Sequence, residues 1–375
     1  LWEYVRQALA PRAALLGPLQ DGHAIYDWAM WQPWVAVAAW IVVVLAAAAW
    51  VRIGGLLARA TLLAIVFFLV AHQIESTFIP LELYFEHRNY IATLCIAFCL
   101  AVAIRTLWSL APSLSGRVVA MGVAITILAW QCLAIYQLST LIGQPLLAAE
   151  MWHRYHPTSQ RAAQTLAWQL GQLGFLPAGL RVLDELADRQ PDQVGVRIQA
   201  LALACKVQPE NEPDHRHRMS VMQRDIGMLR SASGFVTGLQ ELGTAVRAEK
   251  CRGADAQDYF QFLQLAVANE AIQHTRQVRH HVNFELSLTA SKLGLIQQAV
   301  LYGKQAFYDF PSVGSGQRVA TLLFTQGELE EAIAWTEEAE KHAPNGIQRW
   351  AWHQNFGSMR AALEDIRNHL HDANQ

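Results

Sequence analysis

Strong charge of either sign is missing from this chain. Lysine and arginine number 29 against 31 acidic residues, a formal net charge of -2. That balance offers no basic field to hold a nucleic-acid backbone, so nucleic acid is set aside as a partner. Also missing are an initiator methionine and, in the opening LWEYVRQALAPRAALL, the short basic region, apolar core and small-residue cleavage site of a secretory signal. The expectation is a fragment, or a processed product, of something longer. What charge there is lies mostly beyond the first 140 positions, so the chain's average hydropathy blends two unlike halves.

The first half is built from long uncharged runs. One extends from Trp34 to Val51, close to the roughly 20 apolar residues that a helix needs to cross hydrocarbon. Trp28, Trp31 and Trp34 lie at its entrance, where aromatic rings favour the headgroup layer. Further runs cover 56–72, 91–108 and 118–138, with Arg59 placed to snorkel. About four crossings are therefore expected within a transmembrane block at 34–139, behind a pre-membrane or interfacial segment at 1–33. Arg52 and Arg59 flank the first turn, and Arg105 and Arg117 the third. Basic residues are retained in cytoplasmic loops, so both turns are expected inside the cell. The segment between the second and third helices, and everything after the fourth, then faces the other side. In a bacterium that is the periplasmic face of the inner membrane.

After Pro145 the pattern changes to alternating helical segments with an internal repeat. Gly294, Ala299, Ala306 and Pro311 recur as Gly327, Ala332, Ala339 and Pro344, each 33 positions later, close to the roughly 34-residue tetratricopeptide unit. The same offsets appear earlier as Gly174, Gly179, Leu186 and Pro191. Glycine permits a tight turn between paired helices, alanine lets them approach, and proline ends the second helix. The stretch between Asp192 and His281 keeps this signature poorly, and one or two degenerate repeats are expected there. The fold class expected is all-α: a polytopic transmembrane helical block followed by a tetratricopeptide-type solenoid over 145–375. Such stacks serve as binding surfaces for a peptide or partner protein, or as rigid spacers.

Cys95, Cys99 and Cys132 fall in the apolar runs, where they serve as small apolar residues. Cys205 and Cys251 are the two in the repeat half. On the non-cytoplasmic side a disulfide between them is expected; the alternative is two unrelated buried thiols. The run Asp214, His215, Arg216, His217 and the pair His280, His281 have neither the i, i+4 histidines nor the quartet of a zinc site. Their interleaved arginines suggest a solvated loop, and no metal is expected on these residues.

The segment from His72 to Tyr90 holds Glu75, Glu82, Glu86, His87 and Arg88 among Leu81, Leu83, Tyr84 and Phe85 at the membrane surface. It suits an interfacial or re-entrant helix with a basic group at lipid phosphate; alternatively, Glu86 and Arg88 pair with neighbouring helices and anchor the bundle. Glu75-Ser76 and the run Pro80 to Tyr90, followed by a membrane block and repeats, resemble the bacterial transmembrane and tetratricopeptide-repeat glycosyltransferases. Those are polytopic enzymes of the C-type fold that use polyprenyl-phosphate sugars. The resemblance is by motif over His72 to about Leu138 and by architecture elsewhere; it departs at Ile91 and Ala92, where the family tends to have proline. It implies a donor-lipid role for His72, Glu75, Glu86, His87 and Arg88, with Arg88 on phosphate and Glu86 holding it. It implies a protein or glycan acceptor, or a partner protein, at the repeats. It also implies catalytic acidic residues, and a divalent cation, on a first outer loop near the amino terminus. That loop has no counterpart here, since only Glu3, Asp21 and Asp27 are acidic before Trp34; no cofactor is expected on these residues, the catalytic residues are left unassigned, and enzymatic activity is left open. The two other readings are a non-catalytic membrane-anchored scaffold for an envelope or secretion complex, and an O-antigen ligase or polymerase with appended repeats.

Overall fold

The computed structural model describes residues 2–12, 29–72, 90–111, 113–229, 232 and 234–373, and among these there is no strand. The chain divides into two compact units, Leu1–Gln169 and Leu170–Gln375.

The first unit begins with a short helix α1 (Trp2–Leu9), followed by α2 (Trp31–Val51), α3 (Leu56–Ala71), α4 (Tyr90–Leu110), α5 (Leu114–Ile142) and α6 (Pro145–Tyr155). Among the described residues, three helices are long and apolar enough to span a bilayer: Trp31–Val51, Ala92–Leu110 and Leu114–Ile142. The expected second crossing is shorter. Leu56–Ala71 has 16 residues, which at 1.5 Å per residue reach about 24 Å, short of a hydrocarbon core of about 30 Å. Such a helix is accommodated by local thinning or by snorkelling at its ends.

This block is built inside out relative to a soluble bundle. Most of the residues buried between its helices are small, with Ala47, Ala58, Ala60, Ala64, Ala92, Ala120 and Ala134 all shielded; Tyr4, Phe68 and His72 are large ones that join them. Small side chains let helix backbones approach where lipid offers no hydrophobic incentive to associate. The large side chains point outward, as with Val42, Leu45, Leu128 and Ile135, each 64% exposed. Helix α1 packs into this block: Trp2 stacks on Trp40 at 4.4 Å between ring centroids, and Gln131 Nε2 donates to the Ala8 carbonyl at 3.1 Å.

Helix α7 (Gln160–Gln172) straddles the boundary between the units, so the compact division falls after Pro145. There follow α8 (Leu176–Arg189), α9 (Val194–Val207), α10 (Glu212–Asp225), α11 (Phe235–Arg247), α12 (Ala256–Val267), a short α13 (Glu270–Gln273), α14 (Arg276–Lys292), α15 (Ile296–Asp309), α16 (Val313–Thr325), α17 (Leu329–Lys341) and α18 (Ile347–Ala373). The second unit is a helical-repeat solenoid. Helix α14 pairs with α15 and α16 with α17, while α9 packs on α11, α11 on α14 and α17 on α18.

The repeat residues act as their chemistry requires. Gly174, Gly294 and Gly327 take positive φ of 84°, 75° and 82° in the turns between paired helices. The next backbone N–H in each turn caps the preceding helix: Phe175 on Leu170 at 2.8 Å, Leu295 on Ala290 at 2.9 Å, Glu328 on Leu323 at 3.0 Å. Ala299, Ala306, Ala332 and Ala339 are fully buried, and Gly179 and Leu186 are buried at the matching positions. Pro191, Pro311 and Pro344 stand just beyond the ends of α8, α15 and α17.

Two further helix pairs, α9–α10 and α11–α12, fill the stretch where the signature fades. After α11 the same cap recurs, with Lys250 N–H on the Ala245 carbonyl at 2.9 Å. Here the left-handed position is held by Glu249, with φ 59°, and the turn is extended through Lys250 to Asp255 before α12 begins. The glycine is replaced and the spacing is stretched, although the fold of the turn is kept.

Candidate functional site

Among the described residues, chemistry-bearing side chains gather in three places. The first lies within the membrane block. His72, just past α3, is 2% exposed, and its ring packs against Phe68 at 4.4 Å and Tyr4 at 4.9 Å. Its Nδ1 meets the Phe68 carbonyl at 2.8 Å, and since a carbonyl only accepts, that nitrogen carries the proton. Beside Phe68 is an apolar cavity of about 240 Å³ lined by Trp2, Trp40, Ile65, Phe68, Ile96 and Leu100, among others. Glu75, Glu86, His87 and Arg88 lie outside the described residues. Of the group assigned to the lipid donor, His72 alone is therefore placed, and it is enclosed by aromatic rings.

The second place is a polar seam between helices of the solenoid. Arg218 on α10 donates to both oxygens of Asp184 on α8, at 2.5 and 2.9 Å, and through Nε to Asp214 at 2.7 Å. Asp184, Asp188, Asp214, Arg197, His217 and Arg218 line a cavity of about 220 Å³. Arg197 also faces Asp225 at 3.6 Å. Farther along, Arg247 on α11 donates to Glu285 on α14 at 2.5 Å. Gly243 makes this approach possible, because a Cβ there would lie 2.2 Å from Glu285 Oε2. Tyr259 is fully enclosed and donates to the Leu239 carbonyl at 2.8 Å. Arg318 on α16 donates to the Ser287 hydroxyl at 3.2 Å and to the Ser287 carbonyl at 3.1 Å.

Burial governs the electrostatics of this seam. It pushes the Glu285 carboxyl above its ordinary value despite the adjoining Arg247 charge. It lifts Tyr259 well above the usual phenol value, with Glu285 adding to the effect. It lowers Arg318, helped by the like charge of Arg247. Asp225, by contrast, is held below the usual carboxylate range by its hydrogen bond from Arg224. Each of these groups has a partner, Glu285 in Arg247, Tyr259 in the Leu239 carbonyl, Arg318 in Ser287 and Asp225 in Arg224, so the seam links successive helices to one another.

The third place corrects a sequence expectation. Asp214 to His217 form the first turns of α10 rather than a solvated loop. His215 is fully buried, because the helix turns that side chain inward while Arg216 and His217 face out. His280 is buried too, on α14, with Nδ1 on the Ala306 carbonyl at 2.7 Å. Against His215 lie Cys205, at the end of α9, and Cys251, in the extended turn after α11; the structure joins the two cysteines in a disulfide, with Cα atoms 4.8 Å apart.

No protein-family model and no curated protein matches the sequence. Among solved structures, the chain is similar to the crystal structure of MamA protein, at 14% identity over 48% of this chain and 88% of that one, with a TM-score of 0.33. At that score the fold assignment rests on the helices and turns described above.

Neither the seam nor the His215 cluster was visible as a site in the sequence. Arg247, Glu285 and Arg318 are separated by turns of the solenoid, and charges on helical segments look like solvated faces. A signal for His215 existed: in α10 it shares a helical face with Met219 and Met222, both buried, and that i, i+4, i+7 spacing marks the inward side.

Proposed function

We propose that this chain is a membrane-anchored repeat platform that holds a protein partner beside the bilayer, with its repeats on the non-cytoplasmic side. The observation that carries it is the pairing, on one chain, of apolar helices whose surfaces stay uncovered with a solenoid whose helices are locked in register. In the spanning windows of α2, α4 and α5 only 6%, 6% and 11% of residues are buried, so lipid is the medium that suits them. The solenoid presents successive packed helices, the form in which such stacks receive peptides or folded partners. Arg52, Arg59, Arg105 and Arg117 support the orientation.

Two measurements test this reading. The chain should resist alkaline carbonate extraction from membranes. A membrane-impermeant maleimide should label Glu337→Cys, an exposed position on α17, in intact cells. Release by carbonate removes the anchor; labelling only after lysis reverses the orientation.

A second reading is the membrane-embedded part and repeat domain of a lipid-linked-sugar-dependent glycosyltransferase acting at the non-cytoplasmic face. The segment from Pro80 to Tyr90 favours it, as does the apolar cavity beside Phe68, a space suited to part of an isoprenoid chain. Arg88→Ala should then abolish sugar transfer by the full-length protein from a polyprenyl-phosphate donor while leaving its amount in the membrane unchanged. Normal transfer would remove that role.

A further inference from the structure

The His215 cluster has the parts of a metal site as well as those of a disulfide. One atom from each of Cys205, Cys251 and His215 can be chosen so that all three lie within 4.8 Å of one another, and all three side chains are buried. The histidine is already set as a ligand. Its Nδ1 sits 2.8 Å from the Arg252 carbonyl, an acceptor, so Nδ1 bears the proton and Nε2 presents a bare lone pair. That Nε2 is buried without a hydrogen-bond partner. A backbone carbonyl fixing one imidazole nitrogen and leaving the other an unshared lone pair, in a ring packed against two sulfurs, is the outer-sphere arrangement that orients metal-binding histidines.

The surroundings hold the three residues together. Arg252 N–H donates to the Pro209 carbonyl at 3.2 Å, and Arg252 pairs with Glu210. Gly253, with φ 83°, passes so close to α10 that a Cβ would lie 2.3 Å from the Glu212 carbonyl oxygen. The turn carrying Cys251 is thus pinned to the helix carrying His215. Cys251 also lines a cavity of about 470 Å³, together with Val246, Glu249, Lys292 and Leu293.

We propose that Cys205, Cys251 and His215 form a redox-gated zinc site, a disulfide when oxidised and a Cys2His ligand set for one Zn²⁺ when reduced. A dithiol passes two electrons and two protons to the disulfide, leaving two cysteine thiols and its own cyclic disulfide. Zn²⁺ then displaces both thiol protons, and the Nε2 lone pair joins without losing one, so each ion bound releases two protons. In a tetrahedral site with Zn–S of about 2.3 Å and Zn–N of about 2.0–2.1 Å, the ligand atoms stand roughly 3.6–3.8 Å apart. The sulfurs need only separate, and Nε2 draw in, within the space the cluster already occupies. Water from the cavity beside Cys251 supplies the fourth ligand.

The test uses the full chain in detergent with Cys95, Cys99 and Cys132 changed to serine, so that any thiolate signal comes from this pair. After reduction and removal of the reductant under argon, Zn²⁺ is titrated against a chromogenic chelator, and Co²⁺ is used as the spectroscopic probe. One equivalent per chain is expected for the reduced protein and none for the oxidised one, with thiolate-to-cobalt charge transfer and two protons released per zinc. Cys205→Ser should abolish binding, and His215→Ala should weaken it by at least on the order of a hundredfold. His215→Gln, which keeps a polar side chain in the buried slot, gives the same reading if the alanine variant fails to fold by circular dichroism. Absence of stoichiometric zinc in the reduced protein overturns the proposal. So does unchanged affinity in a folded His215 variant, since the imidazole would then be no ligand.

Discussion

Replacing Arg247 with methionine isolates the electrostatic demand of a buried carboxylate, Glu285, in the solenoid. Glu285 is 2% exposed and the Arg247 side chain about one-fifth exposed. Methionine keeps much of the packing and removes the charge, leaving a buried carboxylate without its cation. Breaking a buried pair from one side costs about 3–5 kcal/mol, and the partial exposure of Arg247 places this case near 3. Because repeat arrays need not unfold in one step, the assay is hydrogen exchange with mass spectrometry on peptides from α11 and α14. A local loss of about 3 kcal/mol speeds exchange roughly a hundredfold in those peptides. The sign with pH follows from Glu285. Its folded pKa is raised, so the folded chain holds that proton more tightly than the unfolded one. The resulting stabilisation is complete below the ordinary carboxyl value of 4.5 and is lost as pH climbs through the raised one. Removing Arg247 raises that pKa further, so the variant's deficit should be larger at about pH 7.5 than at about pH 5. Adding Glu285→Leu to Arg247→Met should recover most of the loss, because a matched apolar pair needs no desolvated charge. A deficit independent of pH, or a double variant worse than the single one, would refute this account of the seam.

Reduction, or Cys205→Ala with Cys251→Ala, should lower the solenoid's stability by up to about 4 kcal/mol, the entropy of closing a loop across a sequence separation of 46; an unchanged denaturation midpoint under reductant would show that the bridge adds nothing. Ala299→Leu and Ala332→Leu should each cost about 1–3 kcal/mol, because these positions have no free space. Ala334→Leu on the exposed side of α17 should stay within about 0.5 kcal/mol, and equal effects at all three would mean that the helix faces are misassigned. Glu249→Gly should raise the melting temperature of the solenoid by a few degrees, since glycine relieves the left-handed strain; a fall would show that the exposed link to Lys292 outweighs it.

How much could be read from the sequence depended on whether a residue's role was local. The apolar runs announced α2, α4 and α5 because helices suited to lipid need no patterning. The repeats were legible at Gly174, Gly294 and Gly327, where one residue type performs one backbone task. They were illegible at Glu249, which performs the same task with the wrong residue type. Helix α3 was legible by the same apolar composition, and its 16 residues make it the shortest of these runs. The half-buried pair Arg218–Asp184 and the more deeply buried pair Arg247–Glu285 join residues more than 30 positions apart, and no local pattern encodes that distance. His215 was misread for a related reason: its neighbours Asp214 and Arg216 reported the outer face of a helix whose inner face it occupies.

The unconventional chemistry and the weakest repeat signature fall on the same helices. In α14 to α17, alanine contacts, tight glycine turns and the Trp335 indole on the Gly316 carbonyl hold neighbouring helices together. Between α8 and α12 the connections lengthen, and the alanine–glycine grammar gives way to specific bonds: Arg218 to two aspartates, Cys205 to Cys251, His215 to the Arg252 carbonyl. Longer connections cost more entropy to close and leave more backbone to satisfy; α14 to α17 also carry polar links, such as Arg279 to Asp309 and Arg318 to Ser287, but there these supplement close alanine packing, whereas the disulfide lies in the stretch with the longer connections. Such links respond to conditions as close packing does not: the disulfide to reductant, the ionic bonds to pH. The middle of the solenoid is therefore where a change in the surroundings of the membrane would first alter how the repeats are held, and where hydrogen exchange should show the largest difference between oxidised and reduced protein. If α14 to α17 opened before α9 to α12 on reduction, the order of stability along the stack would be set by repeat regularity alone, and the specific bonds would be incidental to it.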